Sequence, residues 1–401
     1  MDPLIDPALF ELDPQTSWVM HCSEGPIPKA AAEAVRMMVS RELKPWLVRW
    51  NEDFIGLPQS VRAHAATMLR AQVSDVTLTP TTSSGLVTVA QGYPWEAGDE
   101  VVAPLGEFPT NAWPWKALAG RGVHFREVPL WDGHTAGAEA WQSTPPTEEA
   151  EPEARLLEGL GPHTRVLAVS WVRFQDGLRL DLAKLAEGCA LQGVDLVVDG
   201  IQGAGTLPVD LPGVAAFATG GHKGLLSPQG QGFLWTAEPF RLRLVPSGSW
   251  LSVEDATDFS RPSTDFNRDW RRDGTRLEQG VPNLMGCAAL WASLRLLNHV
   301  GVEAISRHVH GLQGLLLDGL SQTASWAAEA ARLHPLWEAH RLGAILSIHH
   351  SGLGPEGLNA WMREGMSRGV MSSVREGYLR IAFHALHGSN DVARVLAFLS
   401  G

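Results

Sequence analysis

Apolar residues recur at three- and four-residue intervals over 28–44 (Ala31, Ala34, Val35, Met38, Val39) behind a proline-bearing start, and this period predicts an amphipathic helix. The loop His21-Cys22-Ser23-Glu24-Gly25-Pro26 precedes it. A second helix is expected over 61–69. An apolar stretch at 76–78 then runs into Thr79-Pro80-Thr81-Thr82-Ser83-Ser84-Gly85 and a short helix, giving strand, polar loop, helix. The alternation continues with strands over 100–103, 124–128, 166–172 and 195–198 and helices over 112–118 and 182–191. Such βαβ order predicts an α/β fold on a mostly parallel sheet. The strands read as unbroken apolar runs, as strands buried on both faces do, so helices are expected on both sides.

Residues 131–153, rich in Pro, Thr, Gly and Glu, read as a surface excursion, about 20 residues and long for a compact domain. A strand is expected over 230–235. Order weakens over 247–280, which reads as an exposed or interface segment. Helical periods return over 285–300 and 304–320, then a strand over 344–348, a helix over 356–367 and a strand over 379–383, forming an α+β unit. The division expected is an N-terminal arm (1–25), a large domain (26–262) and a smaller C-terminal domain (263–401).

Composition narrows the class. At 401 residues and 44% hydrophobic, the chain is long and apolar enough for a large core, which excludes global disorder. A net charge of −12 without any basic run argues against nucleic acid as a partner. The acidic start lacks the basic and apolar regions of an export signal, and no apolar run approaches the roughly 18 residues of a membrane span, so a cytoplasmic protein without a membrane partner is expected. Cys22, Cys189 and Cys287 have no metal or disulfide spacing, and each reads as a small buried hydrophobe; no metal is expected. Only five of the 32 basic residues are lysines: Lys29, Lys44, Lys116, Lys184 and Lys223.

Lys223 is the unusual one. It ends Ala215-Ala216-Phe217-Ala218-Thr219-Gly220-Gly221-His222-Lys223-Gly224, with no other charge between 211 and 237. An ammonium in apolar surroundings is costly unless paired or neutralised, and a desolvated lysine is what Schiff-base chemistry requires. A surface turn lysine is the plainer alternative. The strand Leu196-Val197-Val198 ends in Asp199-Gly200, at the edge where ligands collect in open α/β sheets, although a turn or cap aspartate would read the same. Together, Asp199 and Lys223 suit pyridoxal 5′-phosphate (PLP): a lysine for its aldehyde and a carboxylate for its pyridine nitrogen. An ion pair would use the same two residues. Thr82, Ser83 and Ser84, opening a helix, offer donors for a phosphate or an ordinary cap.

These motifs resemble the class V aminotransferase family of fold-type I PLP enzymes, which includes cysteine desulfurases, kynureninase and isopenicillin N epimerase-like proteins. Asp199-Gly200-Ile201-Gln202-Gly203 resembles the family's D-G-x-Q-x and Gly221-His222-Lys223 its G-H-K. Thr82-Ser83-Ser84-Gly85 is similar to its T-T-E-G phosphate loop, and Glu107-Phe108-Pro109-Thr110-Asn111 to its E-H-H-A-N or, more closely, to the kynureninases' F-P-T-D. Ser23–Pro28 resembles a substrate-side loop, and the segment from Arg380 to Asp391 the C-terminal R-x-S motif. The resemblance implies a large domain with a seven-stranded-type sheet, a smaller C-terminal domain and a homodimer. It implies that Lys223 carries PLP, Asp199 meets the ring nitrogen, Gln202 the phenolic oxygen, Phe108 the ring face, and Thr82, Ser83, Ser84 and His222 the phosphate. Arg380 becomes the clamp for the α-carboxylate of an amino-acid substrate; read alone, it would serve equally in a structural ion pair.

Two departures stand out: Gly220 replaces a phosphate-side serine, and Val281 replaces the threonine of G-T-P-N. The stretch 369–377, where desulfurases carry their nucleophilic cysteine, has none, which disfavours a sulfur-accepting desulfurase. Transamination is the family default. A carbon–sulfur or kynureninase-like lyase, an epimerase, and a binding protein on a degenerate scaffold are the alternatives.

Overall fold

The computed structural model describes residues 1–350 and 352–400. Seven strands form the central sheet: β1 (Val76–Thr79), β2 (Glu100–Pro104), β3 (His124–Val128), β4 (Thr164–Ser170), β5 (Asp195–Asp199), β6 (Val214–Gly220) and β7 (Gly232–Thr236). Their order is β1-β7-β6-β5-β4-β2-β3, with β7 antiparallel to both neighbours and every other pairing parallel. The other six strands therefore end on one edge. Alternate residues bury into opposite layers: Val166, Ala168 and Val197 join one core, Leu167, Val169, Leu196 and Val198 the other. The unbroken apolar reading of these strands has this cause.

Helices α1 (Lys29–Glu42), α2 (Leu57–Leu69), α3 (Thr82–Gly92) and α4 (Leu182–Gln192) precede α5 (Leu284–Val300), which packs on α1 and α2. Asp181 caps α4 and Asn283 caps α5, each side chain accepting a backbone N–H at the start of its helix. Toward the C-terminus, α6 (Val302–Ser321) packs on α7 (Ala327–Glu338) and on α9 (Ser389–Leu399), with α8 (Pro355–Ser367) between these last two in sequence. Here β8 (Ile345–His349), β9 (Ser373–Arg375) and β10 (Tyr378–Ala382) form an antiparallel sheet ordered β9-β10-β8. Residues Ser17–Trp18 pair in parallel with Val370–Met371, and Met20 bridges Ala382, tying the start of the chain to its end.

The structure qualifies one expectation, corrects another and adds a helix. Residues 131–153 run over the surface, as expected, but are anchored there: Trp131 and His134 are buried and stacked, with ring centroids 4.2 Å apart, and the Trp131 indole donates to the Thr144 carbonyl. The helix expected over 112–118 is one turn, Trp113–Lys116, continued by a 3₁₀ segment to Arg121. Helix α7, for which the sequence raised no expectation, carries Pro335 inside it. Its helical signal is weak for that reason.

Candidate active site

A cleft of about 310 Å³ opens at the carboxyl edge of the sheet, within the range of small-ligand sites. Thr82, Ser83, Phe108, Asp199, Gln202, His222, Lys223 and Arg380, each expected from sequence, all line it. Ser84 does not. Its hydroxyl accepts from the Thr81 N–H at 2.9 Å and donates to the Thr81 carbonyl, while its own N–H is taken by Thr81 Oγ1. Ser84 closes the capping box of α3, so its side chain turns away from the ligand space.

Asp199 ends β5, buried, and its Oδ1 accepts the Ile201 N–H at 3.0 Å. Burial raises its carboxyl to about 6, with that hydrogen bond and the Lys223 charge working the other way. Lys223 follows β6; burial lowers its amine to about 8 against the pull of Asp199, and Arg380 and Arg375 depress it further. Its Nζ lies 5.6 Å from the centroid of the Phe108 ring, which packs edge-on against Phe174 at 5.1 Å. Gln202 is buried and donates to the Cys22 carbonyl at 3.0 Å, fixing its amide beside the lysine turn.

The end of the cleft at α3 offers unpaired donors. Among the described residues, the Thr82 and Ser83 N–H groups have no protein acceptor, and the buried Thr82 Oγ1 has no partner. Ser83 Oγ and Thr110 Oγ1 meet at 2.9 Å. A Cβ on Gly220 would stand 3.2 Å from His222 Nδ1 and 3.3 Å from Thr82 Oγ1, tighter than ordinary van der Waals contact, so the glycine lets these two polar groups approach the strand end closely. Burial and Lys223 lower the His222 pKa, which favours its neutral form. An orphaned hydroxyl and free amides at a helix N-terminus, lining the same cleft as His222, fit a phosphate.

Arg380, on β10, is buried and held from three sides: Nε donates to Ser373 Oγ at 3.1 Å, Nη1 to the Phe174 carbonyl at 2.8 Å, and Nη2 to Ser23 Oγ at 2.9 Å. A guanidinium has five N–H donors. The two left over sit one on each terminal nitrogen, the fork that a carboxylate accepts bidentately.

Cys22, Ser23, Thr110, Phe174, Ile201 and Arg375 also line the cleft. The substrate-side loop 23–28 signalled Ser23 and the Phe-Pro-Thr motif signalled Thr110, but Phe174 arrives on a turn and Arg375 at the end of β9, both positioned by tertiary packing. Cys22 is buried in the core, as its reading as a small hydrophobe implies, and also forms part of the cleft wall, with Sγ 3.7 Å from Ser373 Oγ. Glu107 accepts from the Ser170 N–H at 2.7 Å and hydroxyl at 2.5 Å, and burial lifts its carboxyl to about 7. That contact ties the Phe108 loop to the end of β4. Below the lysine turn, His384 Nε2 donates to the Gly224 carbonyl at 2.9 Å and His387 Nε2 to that of Trp18 at 2.9 Å, both Nδ1 atoms accepting backbone N–H groups.

Parallel strands that deliver a lysine, a buried aspartate and a phosphate cradle to one cleft define a fold-type I PLP enzyme. The chain belongs to the aminotransferase class-V family, whose model matches residues 47–362, and its cofactor is PLP. It is similar to a probable cysteine desulfurase of Methanothermobacter thermautotrophicus, 28% identical over 62% of this chain and 58% of that one. An uncharacterized aminotransferase of Bacillus subtilis, YcbU, is 27% identical over 72% of this chain and 71% of its own. The isopenicillin N epimerase of Streptomyces clavuligerus is 30% identical over 58% and 56% respectively. The chain thus spans under two thirds of the first and third of these relatives. Among solved structures, the C-DES mutant with glycine covalently linked to its PLP cofactor superposes with a TM-score of 0.82 at 22% identity, over 99% of both chains. The cystine C–S lyase C-DES in complex with cysteine persulfide gives 0.80 at 23%, over 96% of this chain and 97% of that one.

Proposed function

We propose that the cleft holds PLP with its phosphate at Thr82, Ser83 and His222, its ring nitrogen at Asp199 and its ring face on Phe108, with Gln202 on the phenolic side and Lys223 as the covalent attachment. Arg380 takes the α-carboxylate of an amino acid. The carrying observation is the guanidinium of Arg380, buried and, among the described residues, with one N–H left without a partner on each terminal nitrogen, in the same cleft as Lys223. Bound PLP supplies an electron sink for charge that develops at the substrate Cα. Asp199 holds the proton on the ring nitrogen, and Lys223, titrating near 8, exchanges a proton with Cα close to neutral pH.

Cleavage of a carbon–sulfur bond is the first reading of the outcome, because cysteine desulfurases recur among the relatives. The 369–377 stretch contains no thiol, so the sulfur product would leave directly instead of passing to a cysteine there. Transamination, the family default, is the second reading and is favoured by the name of the B. subtilis relative. Product analysis separates them. Elimination gives a 2-oxo acid and ammonia with no amino acceptor present, whereas an absolute requirement for a 2-oxo acid acceptor would overturn it in favour of transfer. Cofactor-loaded protein inert toward every amino acid would support the degenerate binding protein.

A homodimer is also proposed. Trp250, Phe259, Phe266 and Trp270 are exposed and, with Trp50 and Phe54, line a groove of about 830 Å³. The three buried, unpaired cysteines support residence in the reducing cytoplasm, and no helix among the described residues is long and apolar enough to cross a membrane.

A further inference from the structure

We propose that Arg375 is a substrate-recognition residue and that the amino acid this enzyme accepts carries a second anionic group on its side chain. The proposal rests on the reading above for the site of the α-carboxylate. Four charged residues line the cleft: Asp199, Lys223, Arg375 and Arg380. Asp199 and Lys223 belong to the cofactor, and Arg380 to the α-carboxylate. One cation remains without a task.

Arg375 is free to take it. In a chain with 44 acidic against 32 basic residues, it makes no ion pair among the described residues, and its one side-chain hydrogen bond is to the neighbouring Val374 carbonyl at 3.1 Å. The adjacent carboxylate, Glu376, makes no ion pair with it among the described residues, although the Arg375 charge acts to lower the Glu376 pKa that burial raises. Strand register sets the distance. Ser373 lies directly across from Arg380 and touches its Nε, and Arg375 lies two residues along the same strand. Residues two apart share a face and are separated by about 7 Å. Arg375 thus projects from the same face of the hairpin as the contact that orients Arg380, one pleat farther out. An amino acid spans such an interval between its α-carboxylate and an acidic group at the end of a short side chain.

The hairpin is also held in place. Glu376 and Gly377 form its turn with φ of 47° and 87°, a conformation rare for glutamate, and a Cβ on Gly377 would stand 3.3 Å from the Trp141 backbone. Trp141 belongs to the segment 131–153, so that anchored excursion buttresses Arg375. A carboxylate and a sulfur oxyacid offer the same anionic oxygens to the guanidinium.

The test uses holoenzyme and acids that cannot react because they lack an amine. Calorimetry with succinate, glutarate and a sulfonate of equal length, against butyrate and valerate, should show the doubly anionic ligands binding about ten- to hundredfold more tightly. Arg375→Gln should erase that difference and leave the monocarboxylate affinity and cofactor content where they were; Arg375→Lys should restore part of it. The relative rank of the dicarboxylates and the sulfonate identifies the anion. Equal binding of singly and doubly charged acids by the wild type overturns the proposal, as does an Arg375→Gln variant that weakens both classes alike, which would place Arg375 on the α-carboxylate. Monocarboxylate binding indifferent to Arg380→Ala would instead overturn the underlying site assignment.

Discussion

Lys223 and Arg380 show how burial sets chemistry at single residues. An exposed lysine amine titrates near 10.4; in this cleft burial brings it to about 8. The neutral amine is the form that attacks the cofactor aldehyde, and it is lost as pH falls through the folded-state value. The rate of PLP capture by the apoprotein should therefore rise with pH to a midpoint near 8, followed by stopped-flow absorbance; a midpoint in the ordinary lysine range would contradict it. Arg380 owes its free fork to three fixed partners, Ser23, Ser373 and Phe174. Arg380→Ala should raise KM for the amino acid roughly ten- to hundredfold while cofactor content holds, as a charge-assisted pair is lost. Loss of cofactor in that variant would move Arg380 to another role.

Elements place these residues by close approach. The loop before α1 meets the lysine turn where the Gly25 N–H donates to the His222 carbonyl at 2.7 Å, and a Cβ on Gly25 would collide with the Lys223 carbonyl oxygen and press on Leu226. Gly25→Val should shift the turn, costing on the order of 1–3 kcal/mol and accelerating PLP release, measured by dialysis and absorbance. Unchanged retention would show that this loop does not position the lysine. The strand-end residues Asp199 and Lys223 were legible because an apolar run that stops at a charge marks the ligand edge of a parallel sheet. Ser84 was misread because a capping box and a phosphate loop use the same residues in the same place. Phe174 and Arg375 were illegible: Phe174 sits on a turn and Arg375 at the end of β9, both are positioned by contacts distant in sequence, and neither carries a local pattern. Helix α7 was missed through Pro335, and α9 because its opening residues read as a motif segment.

At the scale of the whole molecule, the βαβ alternation foretold the mostly parallel sheet, while the reversal of β7 between β1 and β6 had no local signature. The surplus of aromatic surface is the other global feature. Phe266 is 88% exposed, on a segment of 247–280 that has only short 3₁₀ turns. A surface of this kind is covered in stable proteins, and a second copy is the proposed cover. Light scattering should give twice the 43.4 kDa of the chain, falling toward the single-chain mass in Phe266→Glu. A monomer at micromolar concentration would contradict the dimer. The central claim, that Lys223 carries the cofactor, is tested most directly by reducing the PLP-loaded protein with borohydride and mapping the modified peptide by mass spectrometry. The account predicts pyridoxyl phosphate on Lys223 and none in Lys223→Ala; modification of another lysine, or of none, would contradict it.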